Sequence, residues 1–164
     1  PTDGPSTKPT LTDRFPPLTM GKVAATRFTP EINRFRASLR GHRGTELLST
    51  LRREIERLTV AALVADNFQQ YVAANAAARK LTGYTLAELY KLTVMDLTPL
   101  PNSEAGRQLW KDFIGRGAQR GDYELVPKRG APRHVRYWAY ASVAPGFHVS
   151  LLVPVDAEGG DLNR

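Results

Sequence analysis

Ile32, Phe35 and Leu39 recur at spacings of three and four, and Leu47, Leu48, Leu51, Ile55 and Leu58 repeat the pattern over nearly four turns. Both series predict amphipathic helices, each with one apolar stripe that must find cover. The first opens at Thr29-Pro30-Glu31, which reads as a capping hydroxyl, a proline at the first helical position and an acid in the first turn. It ends near Gly41 and turns Arg34, Arg36 and Arg40 outward; the second starts around Thr45, with Arg52, Arg53, Glu56 and Arg57 opposite its stripe. From Val60 the periodicity changes. Ala61 to Ala65 predicts a short apolar strand, Asp66-Asn67 a turn, and Gln70 to Ala73 a second strand. Val94 to Leu97 reads as one helical turn, stopped by Thr98-Pro99-Leu100-Pro101. Ser103 caps a longer helix carrying Leu109, Trp110, Phe113 and Ile114 on one side and ending at Gly115 or Gly117. Three strands follow, over 122–126, 133–143 and 147–155.

The densest signal lies between Asn67 and Leu89. Asn75 caps a helix over 76–81, Gly83 ends it in a left-handed turn, and Thr85 with Glu88 forms a capping box for the next helix. This order, with Asn75 to Leu89 and the run Tyr123-Glu-Leu-Val-Pro-Lys-Arg-Gly130 as its most specific segments, resembles a PAS domain. PAS domains are the sensory and dimerisation modules of bacterial signalling proteins and transcription factors. Arg129 stands where the family strand usually ends with an acid before glycine. The resemblance implies an α+β fold: a five-stranded antiparallel sheet with helices on one face around a small-molecule cavity, here preceded by two amphipathic helices and a Pro-rich arm. The expected organisation is an extended or disordered arm over 1–29, a helical extension over 30–59, the PAS domain over 60–156 and a tail over 157–164.

Composition narrows this picture. No cysteine occurs, which excludes disulfides, thiolate metal sites and the covalent flavin adduct of photosensory relatives. The long helix after the Pro-rich turn, where the resemblance would place the histidine of many haem-binding members, contains none, which argues against haem; His42, His134 and His148 are the histidines, the last two on strands. Residues 1–60 carry 11 Lys and Arg against 6 Asp and Glu, and residues 61–164 carry 12 against 10, so the net charge of +7 sits mainly at the N-terminal end. A solvated basic arm is the plainer reading, with nucleic acid or an acidic partner as alternatives. No apolar run reaches the roughly 18–20 residues of a membrane span. The Pro-, Thr- and Ser-rich start does not read as a secretory signal, so the sequence predicts a cytoplasmic protein. A chain that begins at Pro1 reads as a processed product, with Met20 as an alternative start.

The strand over 133–143 alternates with period two. By family register, Val135, Tyr137, Ala139 and Ala141 face the helices, leaving His134, Arg136, Trp138 and Tyr140 on the outer face. The expected pocket residues are Leu81, Tyr84, Leu89, Leu97, Leu109, Phe113, Val135 and Tyr137, holding at most a small apolar ligand. The expected dimer or partner interface joins Leu47, Leu51, Ile55 and Leu58 to Trp138 and Tyr140, the helix lying across the outer face as cover from the same chain or a mate. Catalysis is not expected: no nucleophile turn, histidine cluster or phosphate loop is present, and 115–121 joins a helix to a strand as a flexible connector. Asp122 and Glu124 read as solvent-facing. The expected function is a sensory or regulatory module acting by dimerisation or partner docking. An adaptor subunit binding through the Pro-rich arm, or a nucleic-acid-binding regulator using Arg34, Arg36, Arg40 and Arg43, are the alternatives.

Overall fold

The computed structural model describes residues 27–98 and 104–155. The Pro-rich arm up to residue 26, the capping role of Ser103 and the tail from 157 lie outside the described residues. Two helices, α1 (Thr29–Leu39) and α2 (Gly44–Glu54), precede a pair of strands, β1 (Ala61–Asp66) and β2 (Tyr71–Ala74). Helices α3 (Ala76–Thr82), α4 (Leu86–Leu89) and α5 (Glu104–Arg116) follow, then β3 (Ala118–Leu125), β4 (Arg133–Ala144) and β5 (Phe147–Pro154). The strands form one antiparallel sheet in the order β2-β1-β5-β4-β3. No described helix is long and apolar enough to cross a membrane.

The sheet separates two cores. On the inner face α3, α4, α5 and the 3-10 turn Val94–Leu97 pack over Ala61, Leu63, Tyr71, Val135, Tyr137 and Leu152. On the outer face Ile32, Phe35 and Leu39 of α1 join Leu47 and Leu51 of α2 over Trp138, Tyr140, Val149, Leu151 and Val153. The cover expected from one helix therefore comes from two, both in the same chain. Phe28 adds an edge-on contact to the Trp138 ring at 4.9 Å between centroids. Leu47, Leu51, Ile55, Leu58, Trp138 and Tyr140 are all buried within this single chain. They hold the cap to the sheet within one chain, so of the two expected sources of cover, the same chain or a mate, the structure has the first.

Several boundaries differ from the sequence reading, each for a physical reason. Thr29 lies inside α1 and Phe28 occupies the cap position without a side-chain bond. Glu31 instead accepts from the Thr59 hydroxyl at 2.9 Å, tying α1 to the segment that enters β1. The second stripe is not one helix: α2 stops at Glu54, Ile55–Arg57 tightens to 3-10, and Leu58 is extended. β3 begins at Ala118, so half of the expected connector is strand, paired to Tyr137–Tyr140 of β4. Gly121, opposite Tyr137, hides the alternation.

Asn75 binds these parts together. Its side chain, 2% exposed, caps α3 by accepting from the Ala78 amide at 3.0 Å and also accepts from the Ala62 amide of β1 at 2.9 Å. Its amide nitrogen donates to the Val60 carbonyl at 2.8 Å and to the Ile55 carbonyl at 3.3 Å. One side chain thus joins the end of the cap, the start of the sheet and the first inner helix. Downstream, Gly83 adopts the left-handed turn (φ 78°) that ends α3. The capping box of Thr85 and Glu88 forms as expected, and Lys128 of the β3–β4 loop pairs with Glu88. That pairing, with the Thr85 amide, holds the Glu88 carboxyl down at about 2.

Asn75→Ala leaves two buried amides and two carbonyls short of partners. It should cost about 3 kcal/mol or more in urea unfolding. A loss under about 1 kcal/mol would show that water replaces the amide and that the junction does not depend on it.

Candidate functional site

Between α5 and the inner face lies a cavity of about 130 Å³. Leu63 and Ala65 of β1 and Ala139 of β4 form its floor, and Leu109, Trp110 and Phe113 of α5 form its roof. Its wall is mostly apolar, and among the described residues it contains no Lys, Arg, Asp or Glu. Polar residues enter at a few points: the phenols Tyr71, Tyr123 and Tyr137, with Gln119, His148, Thr98 and Ser150. The volume is below the roughly 300–1,000 Å³ of drug-sized sites.

Tyr137 owes its place to a glycine. Gly121 is its cross-strand partner, and a Cβ on Gly121 would meet the Tyr137 ring at 3.0 Å. The phenol lies over that bare backbone and accepts from Gln119 Nε2 at 2.7 Å. Tyr123 stands edge-on to it, with centroids 5.5 Å apart. Burial first, then the charge of Asp122, raises the Tyr137 phenol to about 12, with the Gln119 bond working against them. Burial also pushes Tyr123 and Tyr71 well above the ordinary phenol range, helped in Tyr71 by Tyr123 and Asp96. All three are therefore neutral donors at physiological pH.

His148, 4% exposed, stands in the same wall on β5. Its ring meets Trp110 edge-on at 5.5 Å and Phe113 at 6.2 Å. Nδ1 accepts from the Ser142 amide at 2.8 Å, and Nε2 lies 2.8 Å from Asn67 Oδ1 in the β1–β2 turn. A backbone amide can only donate, so the network assigns the neutral tautomer with its proton on Nε2, given to Asn67. Protonating Nδ1 would set two donors against each other. Burial accordingly lowers the His148 pKa from its ordinary value, with Asp66 opposing.

Ser142 is the point at which the two faces meet. It adopts φ 53°, unusual for a residue with a side chain, inside the irregularity that shifts the β4–β5 register between Tyr140 and Ala144. His148 holds this bulge from the cavity side. From the cap side Arg36 of α1 donates through Nη2 to the Ala141 carbonyl at 3.3 Å. The Ala141 amide donates to Gly117, at the junction of α5 and β3, at 2.8 Å. The bulge is thus bonded to the cavity wall through His148, to the cap through Arg36 and to the end of α5 through Gly117.

Of the expected pocket residues, Leu109, Phe113 and Tyr137 line the cavity. Leu81, Leu89, Leu97 and Val135 are buried in the inner core and Tyr84 packs against it, but none reaches the cavity wall. Tyr71, Trp110, Gln119, Tyr123 and His148 were missed. Gly121 opposite Tyr137 is the sequence signal that could have found part of the set, since glycine within a strand marks a close approach. Asp122 pairs with Arg136 at 3.1 Å and lies 3.7 Å from His134 on the outer face, while Glu124 is exposed. Among the described residues no group of His, Asp and Glu gathers as for a metal ion.

No protein-family model matches the sequence, and no curated protein matches it. Solved structures do resemble it. A domain of the sensory box sensor histidine kinase/response regulator from Geobacter sulfurreducens superposes with a TM-score of 0.56 at 18% identity, covering 63% of this chain and 90% of that one. The Rhodobacter sphaeroides LOV protein gives 0.54 at 18% identity, covering 66% of each chain. The PAS domain of an HTR-like protein from Haloarcula marismortui gives 0.55 at 12% identity, covering 65% of this chain and 90% of that domain.

Because His148 is held neutral, the unfolded chain binds more protons than the folded one below about pH 6.5. Its contribution to stability is whole above that pH and declines as pH falls. Wild type should therefore lose stability more steeply than His148→Gln between about pH 7 and pH 5, measured as urea midpoints; parallel profiles would place the proton elsewhere. Gly121→Ala should cost about 1–3 kcal/mol by overpacking Tyr137; an unchanged urea midpoint would show that the ring yields freely.

Proposed function

We propose that this chain, whose fold is that of the PAS domains, is a sensory or regulatory module. Occupancy of its inner cavity changes how the N-terminal cap is held, and the cap passes that change to a partner protein or a second copy. The observation that supports this reading is the β4 bulge, gripped by His148 from the cavity side and by Arg36 from the cap side. A ligand that moves Trp110 or Phe113 presses on the His148 ring, and the strained Ser142 backbone is the two-state element it can bias. Buried as they are, Leu47, Leu51, Ile55 and Leu58 serve as the cap's anchor, with Trp138 and Tyr140 as its platform. The outward face of the cap presents Arg34, Arg40 and Arg43, which suits an acidic partner. Catalysis has no place in this reading, since both ring nitrogens of His148 are engaged and no other wall residue is a base.

Hydrogen exchange tests the connection. In His148→Ala the amides of α1, on the far side of the sheet, should exchange about tenfold faster, equivalent to about 1.4 kcal/mol. Those of α3, on the cavity side, should be unchanged. Faster exchange confined to the bulge, with α1 as slow as in wild type, would mean that the two faces are not connected.

A further inference from the structure

We infer that the cavity takes a neutral, single-ring aromatic molecule carrying a hydrogen-bond acceptor. This rests on the sensory reading only in taking the cavity as the ligand site. Three observations give the class. The first is size: about 130 Å³ is close to the volume of about 150 Å³ at which an apolar cavity holds one benzene ring. The second is charge. Among the described residues no Lys, Arg, Asp or Glu lines the wall, and the neutral tautomer of His148 already uses both nitrogens. A carboxylate or ammonium entering here would lose its hydration and find no counter-charge. The third is the imbalance of donors. Tyr137 accepts from Gln119 and retains its own phenolic proton. Tyr71, 5% exposed and part of the wall, makes no side-chain hydrogen bond among the described residues. Both phenols remain protonated far above neutral pH.

Two neutral phenolic donors therefore face a space lined mostly by carbon, and the matching ligand brings a lone pair for them. Trp110 and Phe113 supply aromatic surfaces against which a ring packs edge-on or offset. A carbonyl, nitrile, ether or ring nitrogen directed at the phenols satisfies the wall. A purely aliphatic ligand would leave those protons unpaired.

The full chain is titrated with benzonitrile, toluene and benzoate, by calorimetry and by the nitrile infrared stretch. Benzonitrile should bind about tenfold more tightly than toluene, the value of one hydrogen bond, and benzoate should not bind. The nitrile band should shift on binding, as it does when hydrogen-bonded. Tyr71→Phe together with Tyr137→Phe should bring benzonitrile down to the toluene level, leave toluene unchanged and remove the band shift. Benzoate binding as well as benzonitrile, benzonitrile and toluene binding alike, or no binding by any of the three would each overturn the inference. Benzonitrile bound with a shifted band but no change in α1 exchange supports this ligand class while removing the proposed signalling route.

Discussion

The fold hangs on a buried amide. The Asn75 side chain touches the last turn of the cap, the first strand and the first inner helix, and it satisfies two donors and two acceptors at once. Neither a carboxylate nor a hydroxyl offers that combination with this reach. Its demand for the Ile55 and Val60 carbonyls explains why the second cap helix tightens into a 3-10 turn and why Leu58 is extended. The cap is thus built into the domain at its root, and the apolar stripes of α1 and α2 then fall on the outer face of the sheet. Two cores result, separated by one layer of strands. The two cores share the backbone of that one layer.

Most of this architecture was legible in the sequence because it is written in short-range chemistry. Asn75, Gly83 and the Thr85–Glu88 pair sit where caps and turns require them, and the period-two run from Val135 assigns faces correctly to Tyr137 and Trp138. What escaped depends on contacts far apart in the chain. Thr29 looked like a cap, yet Glu31 finds Thr59 and the helix starts without a side-chain bond. Residues 118–121 looked like a connector because Gly121 breaks the alternation, when the glycine is there to admit a ring from the neighbouring strand.

The cavity shows the same limit. Periodicity finds the residues that face inward, and it found Leu109, Phe113 and Tyr137. It does not say which of them surround empty space, because Leu89, Leu97 and Val135 have the same pattern and are fully packed. The features that distinguish the site are polar ones on strands: Tyr71, Tyr123, Gln119 and His148. Each looks like an ordinary sheet residue until its cross-sheet neighbours are known. His148 is hydrogen-bonded through both ring nitrogens. Its significance comes from the partners, a strained serine amide on one side and a turn asparagine on the other.

Arg52 illustrates a different kind of economy. Its Nε donates to the Val72 carbonyl at 2.9 Å, and its guanidinium lies over the Tyr90 ring at 4.5 Å. Val72 belongs to β2, the terminal strand beside β1, so the cation occupies a backbone acceptor that a stranger's strand could otherwise claim. That margin of the sheet, only four residues long, is a poor template for intermolecular zippering. Crowded copies of this protein are steered away from aggregating along it by a charge whose other face stacks on an aromatic.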